Sequence, residues 1–319
     1  MTIREGFMAS PGPDTLKSGA LLWLKGVCMG GADIIPGVSG GTIAFITGIY
    51  EQLVDGIRSF DAAFLRRLVV LDIPGALATA HLRFILCLLF GILTAVVTMA
   101  SVMNYMLHAH PVAIWSLFFG LIAASIFVVG REIGTLNAAN LGFVGLGAAG
   151  SYLLVGMIPV ATPETLPFIF LCGAIAICAM ILPGISGAFL LLMLGKYEYV
   201  TRTLKAPFVW DNFLVIAVFA AGAATGIILF SRVLHFLLSR YHAATISVLT
   251  GFMIGALRKV WPWKEVLESS VIRGKIHVLR EQNVLPDQLG GEVFLAMGLV
   301  LAGAVVVLVL ERLSKGRRQ

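Results

Sequence analysis

Pro36-Gly37-Val38-Ser39-Gly40-Gly41, near the start of the chain, returns past its middle as Pro183-Gly184-Ile185-Ser186-Gly187-Ala188. The correspondence continues in register through Gly48/Gly195 and Tyr50/Tyr197 to Glu51/Glu198, always 147 positions apart. Each copy interrupts an apolar stretch. Proline has no N–H and disfavours helix at the residue before it, so Pro36 and Pro183 end a helical arm. Gly37 and Gly184 permit the turn. Ser39 and Ser186 then stand where the N-cap of a second arm belongs. The phrase predicts two helix breaks.

The medium of those breaks follows from composition. Of 319 residues, 59% are hydrophobic and 13% charged, with a mean hydropathy of +0.96. A soluble domain carries about 25% charged residues. Several apolar runs reach the roughly 20 residues that span a bilayer. The chain reads as a polytopic helical membrane protein, and its 35 glycines suit helices packed closely in lipid. The net charge of +6 lies in loops and at Arg312, Lys315, Arg317 and Arg318, which reports topology and anionic headgroups rather than nucleic acid. Cys28, Cys87, Cys172 and Cys178 lie in apolar runs without metal-ligand spacing. No disulfide framework, metal or cofactor is implied, and the oligomeric state is left open.

Residues 1–19 are polar and lack the apolar core of a signal peptide, so they read as an N-terminal cytoplasmic segment. Residues 20–49 are the first apolar block. As one straight helix they would run roughly 45 Å, too long for a hydrocarbon core of about 30 Å. Split at the break, arms 20–34 and 39–49 run roughly 22 and 16 Å, each too short to cross. A re-entrant hairpin fits both lengths. Residues 50–83, with Arg58, Arg66, Arg67 and Arg83 among Phe60, Phe64, Leu65 and Leu68, read as an interfacial amphipathic segment. Spans follow at about 84–107, 111–130 and 141–160.

Residues 167–195 repeat the broken block, with spans after it at about 212–238, 243–257 and 292–311. A polar stretch, 258–291, interrupts them. Gly91 and Gly120 align with Gly222 and Gly251, and Gly145 and Gly150 with Gly298 and Gly303. The fold expected is all-α and polytopic. It consists of two inverted repeats, 20–160 and 161–311, each a re-entrant broken-helix hairpin followed by three transmembrane helices, with a basic tail at 312–319. An odd number of crossings per half is what inverts the second. With both termini cytoplasmic, 14 Lys and Arg fall inside and 9 outside, most of the latter in the long loop 258–291, which the positive-inside rule weighs less.

The first turn of each second arm leaves N–H groups unpaired, and the helix dipole places about half a positive charge there. Helix ends of this kind hold phosphate or carboxylate. Ser39, Gly40, Gly41, Thr42, Ser186 and Gly187 are therefore the candidate anion ligands, with Lys25 as a countercharge. Charge inside a span is costly enough to mark function, which makes Asp33, Glu51 and Glu198 candidates for carrying a proton. Arg131-Glu132 reads as a loop ion pair, and the histidines fall at span ends or in loops. Gly37-Val38-Ser39-Gly40-Gly41 also fits G-x-S-x-G, the nucleophile elbow. That elbow needs a strand-turn-helix context and a histidine base, and neither is offered here.

Gly30-Gly31-Ala32-Asp33-Ile34-Ile35-Pro36-Gly37-Val38-Ser39-Gly40-Gly41-Thr42, followed by Gly48-Ile49-Tyr50-Glu51, closely resembles the bacterial polyprenyl-phosphate translocase family of the PopT type, formerly a domain of unknown function. Leu182-Pro183-Gly184-Ile185-Ser186-Gly187 with Tyr197-Glu198 resembles it too, and the resemblance covers nearly the whole chain. It implies a non-enzymatic lipid flippase of the inner membrane. The implied task is return of undecaprenyl phosphate, the lipid carrier of cell-wall precursors, from the outer to the inner leaflet. Ala188 and Phe189 depart from Gly41 and Thr42, which implies a tighter second cradle with fewer ligands.

A lipid monophosphate carries roughly −1.5 to −2 charges at pH 7. Moving it inward against an inside-negative potential costs about 2.3 kcal/mol per charge per 100 mV. The bare anion would thus lose roughly 3.5–4.6 kcal/mol at that potential, so a coupled cation is expected, a proton or Na+. Two competing functions remain: a carrier for a small soluble anion, which needs a closed pocket, and an intramembrane serine hydrolase.

Overall fold

A computed structural model describes residues 1–34, 38–157, 160, 162–272, 275–286, 288 and 290–315, with only the backbone of 104, 108, 205, 268–272, 275–280 and 313–315. Pro36 and Gly37 lie outside the described residues. The first half runs through α1 (Ile3–Ala9), α2 (Leu16–Asp33), α3 (Gly40–Ile46), α4 (Tyr50–Arg58), α5 (Ala62–Val69), α6 (Ile73–Thr79), α7 (Leu82–Ala109), α8 (Pro111–Gly130) and α9 (Ala138–Val155). The second runs through α10 (Leu166–Ile181), α11 (Gly187–Met193), α12 (Tyr197–Lys205), α13 (Trp210–Arg240), α14 (His242–Ala256), strands β1 (Lys264–Ile272) and β2 (Lys275–Asn283), and α15 (Gly291–Lys315).

Five of these helices, in α7, α8, α9, α13 and α15, are long and apolar enough to cross a membrane; α10 and α14 are shorter apolar helices. Large apolar side chains such as Phe90, Leu93 and Val97 on α7, Leu229 and Val233 on α13, and Leu301 and Val305 on α15 face outward. Such a surface is stable in lipid, where it meets hydrocarbon. The protein is a multi-pass membrane protein of helical architecture. Every residue of the short α3 is buried, and Ile43, Phe45 and Ile46 join Ile122 and Val129 of α8 with Ile246, Leu249 and Met253 of α14 in one core.

Both second arms end alike. Gly48 and Gly195 adopt φ of +70° and +62°, a conformation that glycine takes without strain. The next amide reaches back in each case, Ile49 N to Ala44 O and Lys196 N to Leu191 O, at 2.9 and 2.8 Å. These are Schellman turns at equivalent positions.

The arm pairs also fold back on themselves. Lys25 of α2 donates to Thr47 O past the end of α3 at 2.6 Å. In the second half Val160 N donates to Met193 O at 2.9 Å, and the buried Lys196 donates to Thr162 O at 2.6 Å. The exit of α11 is thus tied to the entry of α10, and the exit of α3 to the middle of α2.

Close packing recurs at matching places. A Cβ on Gly26 would overlap the Leu88 carbonyl, and one on Gly91 the Trp23 carbonyl. In the second half Gly173 stands in this way against Phe219 and Gly222 against Phe170. So α2 seats on α7 as α10 seats on α13. Across the halves, Gly120 of α8 abuts Val300 of α15, with Arg131 and Glu311 3.9 Å apart at their ends. Gly147 of α9 abuts Val248 of α14, with Arg258 donating to Tyr152 O at 3.1 Å beyond them. Gly145 and Gly298 both have open space where a Cβ would go, whereas Gly150 is open and its partner Gly303 is packed on Leu117.

Three local expectations change. Residues 50–83 form three short helices, because Asp61 and Asp72 cap α5 and α6 at the amides of Phe64 and Gly75. The polar stretch 258–291 contains an antiparallel hairpin, Lys264 opposite Asn283 and Ile272 opposite Lys275. Its β-branched and alternating residues (Val266, Val271, Ile276, Val278) favour strand over loop. Arg131 and Glu132 lie in a 3-10 turn, Arg131–Ile133, rather than in a loop, and Arg131 comes within 3.9 Å of Glu311.

Candidate functional site

The two phrases meet at the centre of the bundle and bond to each other. Ser39 caps α3, accepting from Gly41 N at 3.1 Å, while its hydroxyl donates to Leu182 O at 2.9 Å. Thr42 Oγ1 accepts from Gly184 N at 3.0 Å. A Cβ on Gly41 would overlap the Ile181 carbonyl, so the absent side chain admits the end of α10. Gly184 in turn lies against the Met253 backbone. Ser39 and Thr42 are each 1% exposed. The unpaired amides at the head of α3 and the unpaired carbonyls at the tail of α10 have opposite partial charges, which is why they attract.

An anion already occupies the α3 head, and it belongs to the chain. Asp33 Oδ1 accepts from Gly40 N at 2.7 Å, and a Cβ on Gly40 would run into that carboxylate. Asp33 closes α2 and thereby bridges both arms of the first break. The second copy differs. Ser186 heads α11 without a side-chain cap bond, and Gly187 is packed against the Ala176 carbonyl. Its counterpart of Asp33 is Met180, so no carboxylate bridges those arms.

The remaining candidates stand apart from this junction. Lys25 serves the opposite end of α3, through Thr47, and lines a cavity of about 430 Å³ with Ser18, Gln52, His81 and the Pro11–Pro13 loop. That loop is fastened by Arg83, which donates to Ser10 O at 2.8 Å and pairs with Asp14 at 2.7 Å. Glu51 projects from α4 into a second cavity of about 430 Å³ with Tyr50, Gln52, Glu132 and His242, whose Nε2 lies 3.9 Å from the Glu51 carboxylate. The Tyr50 hydroxyl there is buried, with no hydrogen-bond partner among the described residues. Glu198 is exposed on α12.

Beside Glu51 lies a relay that sequence reasoning missed. Arg58 meets His235 Nε2 at 2.9 Å, and His235 Nδ1 meets Asp55 at 2.7 Å. Arginine only donates, so Nε2 accepts and the ring proton sits on Nδ1, donated to Asp55. About 180 residues separate Asp55 from His235, and no local pattern joins them.

A second missed cluster lies past the far end of α14. Lys259 and Lys264 both reach Glu281 Oε1, at 2.7 and 3.1 Å. Lys264 rests over the Trp115 ring at 4.3 Å and Lys259 over Phe189 at 5.4 Å. Among the described residues no group of three metal-ligating side chains forms.

The Ser39 hydroxyl is held as a helix cap. Its proton goes to a main-chain carbonyl, which cannot act as a base.

The profile of the undecaprenyl phosphate translocase-like family matches residues 29–276, both phrases included. A polyprenyl-phosphate transporter of Vibrio cholerae is 39% identical over 300 residues, covering 92% of this chain and 96% of that protein. A polyprenyl-phosphate transporter of Staphylococcus aureus is 29% identical over 255 residues, covering 75% of this chain and 85% of that one. No solved structure gives a significant match.

Proposed function

The chain belongs to the undecaprenyl phosphate translocase-like family, and from that premise we propose that it returns undecaprenyl phosphate from the outer to the inner leaflet of the bacterial cytoplasmic membrane. The names of both relatives support a polyprenyl phosphate as substrate. The observation that carries the proposal is the direct bonding of the two phrases through Ser39–Leu182 and Thr42–Gly184. Two half-helix ends meeting in the bundle core are the substrate site of inverted-repeat carriers.

Inversion of the halves has its own support. Rising residue numbers meet rising ones along α8 and α15, and again along α9 and α14, so each of these pairs is parallel. Since α8 and α9 alternate, the equivalent helices α8 and α14 run oppositely. The bonds that tie the exit of α11 to the entry of α10, and the exit of α3 back to α2, support re-entrant hairpins. Both termini then lie on one side, which we assign to the cytoplasm.

Transport follows as an exchange at the α3 head. In the closed arrangement Asp33 holds the Gly40 amide; a proton on Asp33 weakens that bond and frees the amide for a phosphate oxygen. Ser39, Gly41, Thr42, Ser186 and Gly187 complete the phosphate cradle once the two phrases part. Lys25 holds the phosphate further along, in its own cavity, and Glu51 takes the proton toward the cytoplasmic side. Glu198 has the corresponding place on the other side. A proton entering with the lipid offsets the cost of moving its charge inward.

The test is reconstitution. Proteoliposomes carrying labelled undecaprenyl phosphate should equilibrate it between leaflets, and a soluble phosphate or carboxylate should not accumulate. Uptake of soluble anions without lipid movement would favour a small-anion carrier instead.

A further inference from the structure

Lys259, Lys264 and Glu281 form a cluster with unbalanced charge. Two ammonium groups share one oxygen of one carboxylate, and all three side chains are largely withdrawn from solvent, at 19%, 10% and 28% exposed. Lys264 spends its donors inward, on Glu281 and on Lys259 O at 2.6 Å, with its remaining face on Trp115. Lys259 spends one of its three donors on Glu281 among the described residues. Among the described residues of the cluster one positive charge is left over in a poorly solvated place, where it costs most and where an added anion gains most.

Several facts set this cluster in the transport path. Lys259 lies over Phe189, which stands in the second phrase where the first has Thr42. Lys264 rests on Trp115, Trp261 and Trp263 pack edge to face in the segment between the two lysines, and indole rings of this kind sit at the headgroup level of a bilayer. The cluster also lies at the opposite end of α14 from Glu51, Glu132 and His242, whose cavity is acidic.

We propose that Lys259 and Lys264 are the pick-up site for a phosphate monoester headgroup on the side opposite the termini, with Glu281 as the exchangeable counter-ion. This rests on the translocase assignment and adds a residue-level entry point to it. Glu281 is the displaced group: when the phosphate arrives, its oxygens take the Lys259 ammonium while Lys264 retains the carboxylate. No covalent bond changes. The burial of Lys264 and the like charge of Lys259 lower its amine to about 8, against the pull of Glu281, as befits a cation pair short of anions.

The discriminating experiment measures binding of farnesyl phosphate, a short prenyl monophosphate, to the purified full-length protein by quenching of tryptophan emission. Lys259→Gln should weaken binding at least tenfold, and Lys259→Arg should retain it. Glu281→Gln, which removes the competing carboxylate, should bind as tightly as wild type or tighter. Farnesol should not bind, and inorganic phosphate should compete only weakly. Unchanged binding in Lys259→Gln would overturn the proposal, as would a loss in Glu281→Gln equal to that in Lys259→Gln, which marks a purely structural ion pair. Inorganic phosphate as potent as the lipid would overturn the lipid assignment and leave a free-phosphate site. If wild type moves undecaprenyl phosphate across proteoliposomes while Lys259→Gln binds normally, the pick-up site falls and the translocase stands. A wild type that neither moves the lipid nor binds farnesyl phosphate removes both.

Discussion

Thr42 in the first half accepts a hydrogen bond from the amide of Gly184 in the second, at 3.0 Å and across 142 residues of sequence. Each is part of a helix break, and the side chains of the first break, Thr42 and Ser39, satisfy main-chain groups that the second has exposed. The pair is buried, so its loss is not made good by water. Thr42→Val keeps the shape and removes the acceptor, leaving the Gly184 N–H unpaired at about 1–3 kcal/mol. Thr42→Ser should stay near wild type. Thermal unfolding in detergent separates the two, and equal stability of both variants would show that the bond contributes nothing.

Asp33 bonds Gly40 through one oxygen, which an amide oxygen can replace. Asp33→Asn should fold and bind lipid phosphate, yet its transport should no longer respond to a pH gradient. Asp33→Ala should lose stability as well, since the Gly40 amide is then orphaned. Gradient-driven transport in Asp33→Asn would remove Asp33 as the proton carrier.

Matching glycines should fail alike. Gly26→Leu and Gly173→Leu each drive a side chain into a carbonyl of the neighbouring helix, Leu88 and Phe219, for a cost of about 1–3 kcal/mol or more. Gly142→Leu and Gly145→Leu have open space around them and should be neutral. Parallel melting curves for the four variants check this, and a neutral Gly173→Leu would contradict the packing of α10 on α13.

Anion binding at Lys259 and Lys264 should weaken as pH rises through about 8. Below that value Lys264 keeps its proton and the cluster its surplus charge; above it the surplus is lost. Among the described residues the groups that act on Lys264 are Lys259, Glu281 and the Trp115 ring. Burial pushes the Glu281 carboxyl up, but the two ammonium groups outweigh it and hold it below its usual range, so it stays ionised across this window. Farnesyl phosphate titrations at pH 7 and pH 9.5 give the comparison, with binding at least severalfold weaker at the higher pH.

Much of the fold was legible because lipid imposes long apolar runs and the phrase interrupts two of them in register. Span ends at α8 and α15 came within a residue or a few of the expected ones for that reason. The hairpin was not legible, since alternation over a few residues is a weak signal inside a polar stretch. At the site, the residue types were readable and their partners were not. An exposed helix head implies an anion, but nothing in the order of residues says that Asp33 supplies it, or that Gly41 faces a carbonyl. The relay of Arg58, His235 and Asp55 and the cluster of Lys259, Lys264 and Glu281 exist only once distant segments are packed together.

The most direct test is inward movement of labelled undecaprenyl phosphate in oriented proteoliposomes, with a pH gradient imposed and then collapsed. Movement to the leaflet on the side of the termini should be fast under an inward proton gradient and should drop when the gradient is collapsed. Lipid movement that is absent, or indifferent to the gradient in wild type, would contradict proton-coupled translocation.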